Sequence, residues 1–541
     1  MQILKSNKAQ YEYDIHSLVK AFYPAWELKV LTPESVVKDR RVRDTAPAME
    51  LEFGDAEVRF IVHKGIYNVS TEPDGDLADG LVPGSMSAEQ QGDGNSDSAD
   101  GRENPAHTGT VAEERKGTGR DSHVYTWHNT EQADTSEYKD AFKRFLYISL
   151  CEETGRSLPW GNLTGIRPTK IAMTMLEKGE SERDVETFLR EKHFVSKEKI
   201  ALGIDIAKRE HEILSRLHYE NGYSLYIGIP FCPTTCLYCS FTSYPISLWK
   251  ERVADYLTAL EQELEAVAQL YRDRILDTVY IGGGTPSALA AKELDRLLAK
   301  LKSTFDFDTV QEFTVEAGRA DSITEDKLRV LYRHGVTRIS VNPQTMKQET
   351  LRLIGRQHTV EQVREAFGLA RKAGFDNINM DIILGLPGET QEDVRATIEA
   401  IRELSPDALT VHSLAVKRAS GLHRWIEENG VTAYNNTEAT MRIAQAGARA
   451  MGMEPYYLYR QKNMSGNFEN VGYSVEGKYG IYNILIMEEK QSIVACGAGS
   501  VSKRVYPDGR IERCENVKDV ALYIEKIDEM IERKRKLLTD F

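Results

Sequence analysis

Residues 224 to about 420 alternate between short apolar runs and longer amphipathic segments. The apolar runs include SLYIGI, DTVYIGG, EFTVEA, RISVNPQ, NINMDIILG and ALTVHSL, and the segments between them have apolar residues at helical spacing. Strands that alternate with helices about six times favour a parallel sheet that curves toward a barrel. In such folds the loops at the carboxyl ends of the strands carry the functional residues.

The flanking regions have different patterns. Before residue 64 and near residue 125, apolar and polar residues alternate as in a half-buried sheet, and a helical pattern follows from Glu137 to Thr154. Beyond residue 422 helices come first and strands follow. The sequence therefore predicts an α/β protein with three parts, which are an N-terminal α+β domain (1–218), a partial (β/α)6 barrel (219–422) and a C-terminal α+β cap (423–541).

One segment of the N-terminal domain has the composition of a disordered chain. Residues 71–122 contain twelve acidic and four basic side chains, no aromatic residue, and many glycines and serines. Such a segment buries too little apolar surface to offset the entropy lost on ordering, so we expect a disordered acidic insert. Because the insert carries −8 of the net charge of −14, the acidity of the whole chain says little about the site.

The composition is that of an ordinary globular protein, since 41% of the 541 residues are hydrophobic and 28% are charged. No apolar run reaches about 18 residues, so we expect no membrane span, and the first residues lack the apolar core of a signal peptide. Six cysteines, three of them clustered, favour a reducing compartment. We expect a cytoplasmic protein that does not bind nucleic acid.

The clustered cysteines are Cys232, Cys236 and Cys239, in the segment FCPTTCLYC after the first barrel strand. A structural zinc site usually has four ligands in two pairs, and no second pair follows here. Three cysteines could also serve only as small buried residues, although the flanking residues favour a loop. Thiolates suit iron–sulfur clusters. Three of them on a four-iron cluster leave one iron open to a substrate or cofactor.

A C-x3-C-x2-C motif directly after the first strand of a β/α barrel resembles the radical S-adenosylmethionine (SAM) superfamily. The resemblance implies a [4Fe-4S] cluster on the three cysteines, with SAM chelating the remaining iron through its amino and carboxylate groups. An electron from the cluster would then split the sulfonium and release a 5′-deoxyadenosyl radical. The segments IGGGTPS, TVEAGR, NPQT, GRQHT and NMDIILGLPGET, which lie in and after the later strands, strengthen the match.

The resemblance also implies a set of SAM contacts. Glu316 would accept a hydrogen bond from the SAM ammonium, Arg356 would pair with the carboxylate, and Asp381 would bind a ribose hydroxyl. The glycine loop, with Gly283, Gly284 and Thr285, would bind the methionine part, and its exposed N–H groups could meet a carboxylate. Tyr238 would offer an aromatic face to adenine. Taken singly, each residue has an ordinary explanation, such as a solvated acid at a strand end. The predicted cofactor-binding residues are Tyr226, Tyr238, Gly283, Gly284, Thr285, Glu316, Gln344, Arg356, Asp381 and Ala415, and Tyr226 is also predicted to be catalytic.

Within the superfamily the chain resembles the oxygen-independent coproporphyrinogen III oxidases and their relatives. YIGIPFC, GGGTPS, GRQH, DIILGLPG and SPDALTVHSL occur in that family's order, and PWGNLTGIRPTK and PYYLYRQKNMSGNFENVGY resemble its HemZ branch. The implied activity is a coproporphyrinogen III dehydrogenase. Abstraction of a propionate β-hydrogen, then loss of carbon dioxide and one electron, turns two propionates into vinyl groups and gives protoporphyrinogen IX. The implied partners are a porphyrinogen or haem-like tetrapyrrole and an electron donor such as flavodoxin or ferredoxin.

Some positions depart from the patterns of the family's branches. Oxidases carry a further cysteine two residues after the third, where this chain has Phe241, and a histidine two residues after the first-strand tyrosine, where it has Gly228. The haem-chaperone branch has a His-Asn-x-x-Tyr-Trp element, which ENVGYS (Glu469–Ser474) replaces. Three functions stay open: the dehydrogenase, a haem-binding chaperone-like protein without decarboxylase turnover, and a radical SAM enzyme that modifies haem.

A substrate with four propionates should meet cations near the barrel mouth. The predicted substrate contacts are Arg319, after the third strand, and the pair Lys417 and Arg418 in LAVKRAS. Arg460 and Lys462 in YYLYRQK are further candidates. Because most single lysines and arginines are simply solvated, the adjacent pair is the best of these.

Overall fold

The computed structural model of the chain forms two compact units. The first consists of Met1–Pro168 and Ser181–Ala201, and the second of Thr169–Glu180 and Leu202–Phe541. The residues that the structure describes are 1–24, 26–36, 42, 45–64, 111–115, 122–128, 135–165, 167–416, 420–429, 436–461 and 468–539. None of the helices in these ranges is long and apolar enough to cross a bilayer.

The first unit packs helices against one six-stranded sheet. Its strands are β1 (Gln2–Ser6), β2 (Leu28–Leu31), β3 (Met49–Phe53), β4 (Glu57–His63), β5 (Val111–Arg115) and β6 (Ser122–His128), and its helices are α1 (Glu12–Phe22), α2 (Ser136–Thr154) and α4 (Glu182–His193). The strand order is β2-β1-β3-β4-β6-β5. Every second residue of β4 is buried, so that Val58, Phe60 and Val62 join Leu18 and Phe142 of the helices in one apolar core.

The described residues cover only part of the predicted disordered insert. Residues 71–110 and 116–121 lie outside them, whereas Val111–Arg115 forms strand β5 and pairs antiparallel with β6, which begins at Ser122. The prediction was wrong for these six residues. Backbone hydrogen bonds hold a strand at a sheet edge, and this pairing does not require an apolar sequence.

The second unit is built around an eleven-stranded sheet. Its strands are β7 (Gly222–Ile229), β8 (Phe231–Cys232), β9 (Tyr244–Pro245), β10 (Ile275–Gly283), β11 (Glu312–Glu316), β12 (Arg338–Ser340), β13 (Ile378–Leu384), β14 (Ala408–Ser413), β15 (Glu454–Tyr459), β16 (Asn470–Ser474), β17 (Ser492–Cys496), β18 (Val501–Val505) and β19 (Ile511–Glu515), of which β8 and β9 form a separate pair. Its helices are α3 (Thr169–Glu177), α5 (Lys197–Leu214), α6 (Val253–Leu270), α7 (Ala291–Thr304), α8 (Glu325–Arg333), α9 (Gln348–Leu353), α10 (Val360–Lys372), α11 (Gln391–Leu404), α12 (Gly421–Asn429), α13 (Glu438–Ala450), α14 (Ile481–Glu488), α15 (Val520–Glu525) and α16 (Ile527–Leu538). The first turn of α5, up to Ala201, belongs to the first unit.

Six central strands of this sheet run parallel and are neighbours in chain order. They are β7, β10, β11, β12, β13 and β14, and helices lie between them along the chain. Because β14 pairs with β13 and β16 but not with β7, the barrel stays open. The predicted partial (β/α)6 barrel is confirmed.

The C-terminal strands extend the barrel sheet at both ends. β16 and β15 continue it antiparallel beyond β14, and β17 joins the other end parallel to β7, followed by β18 and β19. The predicted boundaries after residues 218 and 422 therefore differ from the division into two units. The edges of an open barrel present unpaired backbone groups, and these later strands satisfy them.

The barrel strands separate an apolar face from a polar one. Leu225, Ile227, Val279 and Ile281 are fully buried on one face. Successive side chains of a strand point to opposite faces, so the alternate positions form the inner wall of the barrel. The polar residues at these alternate positions include Tyr226, Tyr280, Thr314, Glu316, Ser340, Asp381 and His412. The inner wall thus carries the predicted site.

Candidate functional site

One loop after β7 carries the three clustered cysteines. Cys232 lies in β8 and is paired with Pro245 of β9, while Cys236 and Cys239 lie in the segment between these short strands. The amide of Cys239 donates to the carbonyl of Cys236 over 3.2 Å. All three thiols are free, Cys232 being buried and the other two half-buried. We call residues 230–245 the cysteine loop.

Two later segments of the chain hold the cysteine loop by its backbone. Leu237 donates to the carbonyl of Ile354 over 2.9 Å and accepts from the amide of Leu422 over 2.7 Å. Gly355 has a φ of +78°, and a Cβ there would lie 3.5 Å from the carbonyl oxygen of Thr235. The conformation of the loop therefore depends on contacts made far away in the sequence.

The three thiols have the donor chemistry that iron–sulfur clusters require. Within the described ranges, no three Cys, His, Asp or Glu side chains converge closely enough to hold one ion. A four-iron cluster needs no such convergence, because each thiolate binds a different iron. Burial raises the pKa of Cys232 to about 11, and nearby Cys239 and Cys236 add to the rise. Bound iron would displace these protons.

The glycine loop after β10 packs directly on the cysteine loop. A Cβ on Gly284 would lie 2.6 Å from the carbonyl oxygen of Phe231 and 3.0 Å from the sulfur of Cys232, so there is no room for a side chain. The amides of Gly284 and Thr285 donate to the carbonyls of Ile229 and Phe231 over 2.8 and 2.7 Å. These two N–H groups are engaged within the chain, which differs from the prediction that they face a ligand carboxylate.

The other predicted residues of the glycine loop also lie against the cysteine loop. Gly283 has a φ of +109°, which favours glycine, and a Cβ there would lie 3.1 Å from the carbonyl oxygen of Ile229. The hydroxyl of Thr285 donates to the sulfur of Cys232 over 3.4 Å. The structure thus brings the predicted methionine-binding loop and a predicted cluster ligand into contact.

Glu316 lies at the end of β11 beside an aromatic wall. The hydroxyl of Tyr280 donates to Glu316 Oε1 over 2.5 Å. The rings of Tyr226, Tyr280 and Tyr482 stack on one another, with centroid separations of 6.1, 6.0 and 4.4 Å. Sequence reasoning found Tyr226 but missed the other two. Strand alternation could have indicated Tyr280, whereas Tyr482 comes from α14 and had no local signal.

Enclosure by the barrel raises the pKa of Glu316 to about 7. Burial is the main cause, the hydrogen bond from Tyr280 opposes it, and the charge of Asp381 adds to it. A carboxyl with this pKa changes its charge near neutral pH, and a bound ammonium group would favour the ionised form. The environment of Glu316 therefore suits a partner for a cationic ligand group.

Two side chains that the sequence analysis did not single out hold Asp381. The amide of Asn379 donates to Asp381 Oδ1 over 2.7 Å, and His412 Nε2 lies 3.7 Å from Oδ2. Burial alone would raise the pKa of Asp381, but His412 and Asn379 hold it below its usual value. His412 belongs to the segment ALTVHSL, whose alternation places it on the inner wall.

Among the described residues, the buried polar atoms at this site that lack a hydrogen-bond partner include Gln344 Oε1, Asn342 Oδ1 and Arg356 Nε. Gln344 also has a left-handed backbone, with a φ of +68°, and its amide donates to the carbonyl of Asp381 over 2.9 Å. Buried polar atoms in proteins nearly always have partners. These three atoms are therefore open to a partner such as an ordered water or a polar group of a ligand.

Arg356 connects the site of the unpaired polar atoms to the cysteine loop. Its guanidinium donates to the carbonyl of Asn342, and it also interacts with the side chains of Tyr238 and Cys236. Tyr238, predicted to face adenine, packs on an apolar cluster that includes Leu386. The predicted pairing of Arg356 with a ligand carboxylate is thus compatible with its position, because one of its nitrogens is still without a partner.

The structure describes only some of the predicted substrate cations, and those that it describes are buried. Lys417, Arg418 and Lys462 lie outside the described residues. Arg319 and Arg460 are buried, with exposed fractions of 2% and 4%, and burial lowers the pKa of Arg460 to about 10. Ala415 follows β14 and is half-buried. Neither buried arginine therefore matches the expectation of a cation exposed at the barrel mouth.

Comparison with known proteins agrees with this geometry. Residues 226–401 match the family model of the radical SAM superfamily. The chain is 41% identical over 441 residues to the oxygen-independent coproporphyrinogen-III oxidase-like protein HemZ of Bacillus subtilis (strain 168), which covers 79% of this chain and 87% of that protein. It is 31% identical over 277 residues to the heme chaperone HemW of Lactococcus lactis subsp. lactis (strain IL1403), covering 51% and 68%. It is 28% identical over 324 residues to the oxygen-independent coproporphyrinogen III oxidase of Salmonella typhimurium (strain LT2), covering 57% and 66%.

The open barrel, the cysteine loop and the superfamily match are those of a radical SAM protein, a class whose cofactors are a [4Fe-4S] cluster and SAM. The match to HemZ spans most of both chains. The chain therefore belongs to the family of oxygen-independent coproporphyrinogen-III oxidase-like proteins, which confirms the resemblance seen in its sequence. The roles of the individual site residues remain predictions.

Proposed function

We propose that the protein is an oxygen-independent coproporphyrinogen III dehydrogenase, which turns two propionates into vinyl groups and gives protoporphyrinogen IX. The observation that carries the proposal is the close association of three free thiols, the glycine loop and the orphaned atoms of Gln344, Asn342 and Arg356. The extended similarity to an oxidase-like protein supports the same substrate class.

When bound, the cluster and SAM supply a carbon-centred radical that can abstract a hydrogen atom from an unactivated C–H bond. We propose that Cys232, Cys236 and Cys239 hold the cluster. Glu316 binds the SAM ammonium and Arg356 the SAM carboxylate, as their charges favour. Asp381 binds a ribose hydroxyl and Tyr238 contacts adenine. Gly283, Gly284 and Thr285 contact the methionine part of SAM. Gln344 contributes a further polar contact, and Ala415 lies at the edge of the SAM site.

Tyr226 contributes to the inner wall next to this site. Together with Tyr280 and Tyr482 it forms a stacked aromatic surface, and Tyr280 holds the carboxyl of Glu316. Such a wall excludes water, which protects a reactive intermediate from side reactions. We therefore propose that Tyr226 shapes the reaction chamber close to the bound cofactor.

A haem-binding, chaperone-like function is the alternative, and two residues favour it. Phe241 stands where the oxidases have a further cysteine, and its side chain is 70% exposed. A Cβ on Gly228, where the oxidases have histidine, would lie 3.4 Å from the carbonyl oxygen of Cys496 and 3.5 Å from the ring of Tyr226, so a side chain there would lie against the tyrosine stack. A radical SAM enzyme that modifies haem would share both features.

The cellular setting belongs to the same proposal. Three free thiols on one loop must stay reduced to bind iron, and this favours the cytoplasm. A flavodoxin or ferredoxin would supply the electron, and the tetrapyrrole would be bound as a porphyrinogen. The pair Lys417 and Arg418 remains the proposed contact for its propionates.

An anaerobic assay tests the proposed activity. Full-length protein with a reconstituted cluster is incubated with SAM, dithionite and coproporphyrinogen III, and protoporphyrinogen and 5′-deoxyadenosine are measured. We expect both products, and neither from Cys236→Ala treated in the same way. SAM cleavage without a vinyl product would exclude the dehydrogenase and leave another radical reaction. Stable haem binding without SAM cleavage would favour the chaperone-like function.

A further inference from the structure

Arg319, predicted as a substrate contact, lies against the cysteine loop instead. Its Nη1 donates to the carbonyl of Thr234 over 3.0 Å and to the hydroxyl of the same residue over 2.8 Å. The same nitrogen lies 3.8 Å from the sulfur of Cys236. With 2% of its surface exposed, this guanidinium contacts the loop rather than solvent.

Asp321 fixes the orientation of this guanidinium from the other side. Nε and Nη2 of Arg319 donate to its two carboxylate oxygens over 3.0 and 2.6 Å, which is a bidentate pair. The ring of His358, which is fully buried, lies 3.8 Å from the same carboxylate. Since the guanidinium is planar and rigid, a carboxylate on two of its nitrogens sets the direction of the third.

Cys236 needs such support more than Cys232 does. Cys232 is held by the pairing of β8 with β9, whereas Cys236 lies in the loop between these strands. The hydroxyl of Thr234, besides accepting from Arg319, is within 3.4 Å of the carbonyl of Gly355. Arg319 and Thr234 thus brace the part of the loop that no strand pairing holds.

We propose that Arg319 is a positioning residue for the cluster, which holds Cys236 in place through Thr234 and stabilises the reduced state through the Cys236 sulfur. An N–H donor to a ligand sulfur and a nearby positive charge both favour the more negative state of a cluster, and this raises its reduction potential. The role is independent of the proposed substrate, because any reaction of this site begins with reduction of the cluster.

The test uses the full-length protein with an anaerobically reconstituted cluster. Arg319→Gln removes the positive charge and the N–H donors of the guanidinium. Asp321→Asn keeps the arginine charge and removes the carboxylate that orients it. We expect a chelator to strip iron from Arg319→Gln about tenfold faster than from the unchanged protein. We also expect a redox titration followed by electron paramagnetic resonance to give a more negative midpoint potential. Asp321→Asn should lose iron faster but shift the potential less.

The matched control is Arg329→Gln, since the Arg329 side chain is 67% exposed on α8, and it should behave as the unchanged protein in both measurements. Chelation rates and potentials of Arg319→Gln equal to those of the control would overturn the proposal. The same holds if turnover of the porphyrinogen falls while both quantities stay constant, because Arg319 would then act on the substrate. If the circular dichroism spectrum shows that Arg319→Gln does not fold, Asp321→Asn is used for the test instead. A rate of iron removal from Asp321→Asn equal to that of the unchanged protein would then overturn the proposal.

Discussion

At the scale of single residues, two carboxyl groups on the inner wall have opposite pKa shifts. Burial raises the pKa of Glu316 to about 7, while His412 and Asn379 keep the pKa of Asp381 below its usual value despite burial. At neutral pH Asp381 is therefore ionised, and Glu316 changes charge with small changes in its surroundings. A cationic ligand group would bind to Glu316 and fix its charge.

Removal of one proposed cluster ligand should abolish cluster retention. Cys236→Ala leaves two thiolates, and with two corner irons lacking protein ligands we expect the loss of nearly all bound iron. Iron and sulfide per chain and the visible absorption spectrum measure this. Cys514→Ala is the control, since Cys514 is half-buried and free but lies outside the cysteine loop. Full iron content in Cys236→Ala would contradict the ligand assignment.

Glu316 should make the stability of the cofactor-free protein depend on pH. Its pKa rises from 4.5 to about 7 on folding, so the folded state binds more protons in that window and stability falls as the pH rises through it. Glu316→Gln should therefore increase the free energy of unfolding by on the order of 1–3 kcal/mol at pH 8 and by much less at pH 5. Urea titrations at both values measure this, with Glu325→Gln, at a half-buried position outside the inner wall, as control. An equal effect at the two pH values would contradict the shift.

At the scale of elements, the site depends on how closely two loops approach. β10 ends in glycines whose missing side chains let it lie against residues Ile229 to Cys232. A side chain at Gly284 would have to displace the carbonyl of Phe231 and the sulfur of Cys232 at once. The glycine run is therefore a requirement of packing, whether or not it also contacts a ligand.

Gly284→Ala should disturb the cysteine loop. The added Cβ would lie 2.6 Å from the carbonyl oxygen of Phe231, so we expect a loss of about 1–3 kcal/mol in the free energy of unfolding and poorer iron retention. Gly368→Ala is the matched control, because Gly368 lies in α10 with no atom near the added Cβ. It should instead stabilise the protein by about 0.5–1 kcal/mol. Equal stability and iron content of the two variants would refute this reasoning.

At the scale of the whole second unit, a buried ion pair ties the C-terminal helices to the barrel. Glu263 of α6 accepts from the amide of Gly497 over 2.7 Å and from the hydroxyl of Tyr523 over 2.6 Å. It also forms an ion pair with Lys534 of α16, and both side chains are almost fully buried. One carboxylate thus joins α6, the loop after β17, α15 and α16.

Breaking this pair should destabilise the unit as a whole. Lys534→Met leaves the charge of Glu263 buried without its cation, for which we expect a loss of about 3–5 kcal/mol in urea unfolding. Lys536→Met, at an exposed position of the same helix, is the control. The double variant Glu263→Leu, Lys534→Met should recover part of the loss, because no charge stays buried. Exposed ion pairs contribute up to about 1 kcal/mol to the free energy of unfolding. A loss no larger than this in Lys534→Met would contradict the argument.

Local sequence patterns predicted the elements of the barrel, but they did not predict which strands pair when those strands are far apart in the sequence. The strand–helix alternation indicated the open barrel, because the period of apolar residues is a local property of each element. The same patterns did not indicate where the C-terminal strands pair. β17 pairs with β7, for example Val494 with Leu225, and no periodicity encodes a pairing between strands so far apart in the sequence.

By itself, the sequence determined the family, and it predicts the cluster ligands, because the type and spacing of the three cysteines are local properties of one loop. Only the tertiary structure decided what surrounds each charged group. Arg319 was predicted as a substrate contact and is buried against Cys236. Glu316 was predicted as a contact for an ammonium group, and only its surroundings in the fold raise its pKa to about 7. The physical reason is that burial, hydrogen bonding and pKa depend on neighbours brought together by folding, whereas residue type and spacing do not.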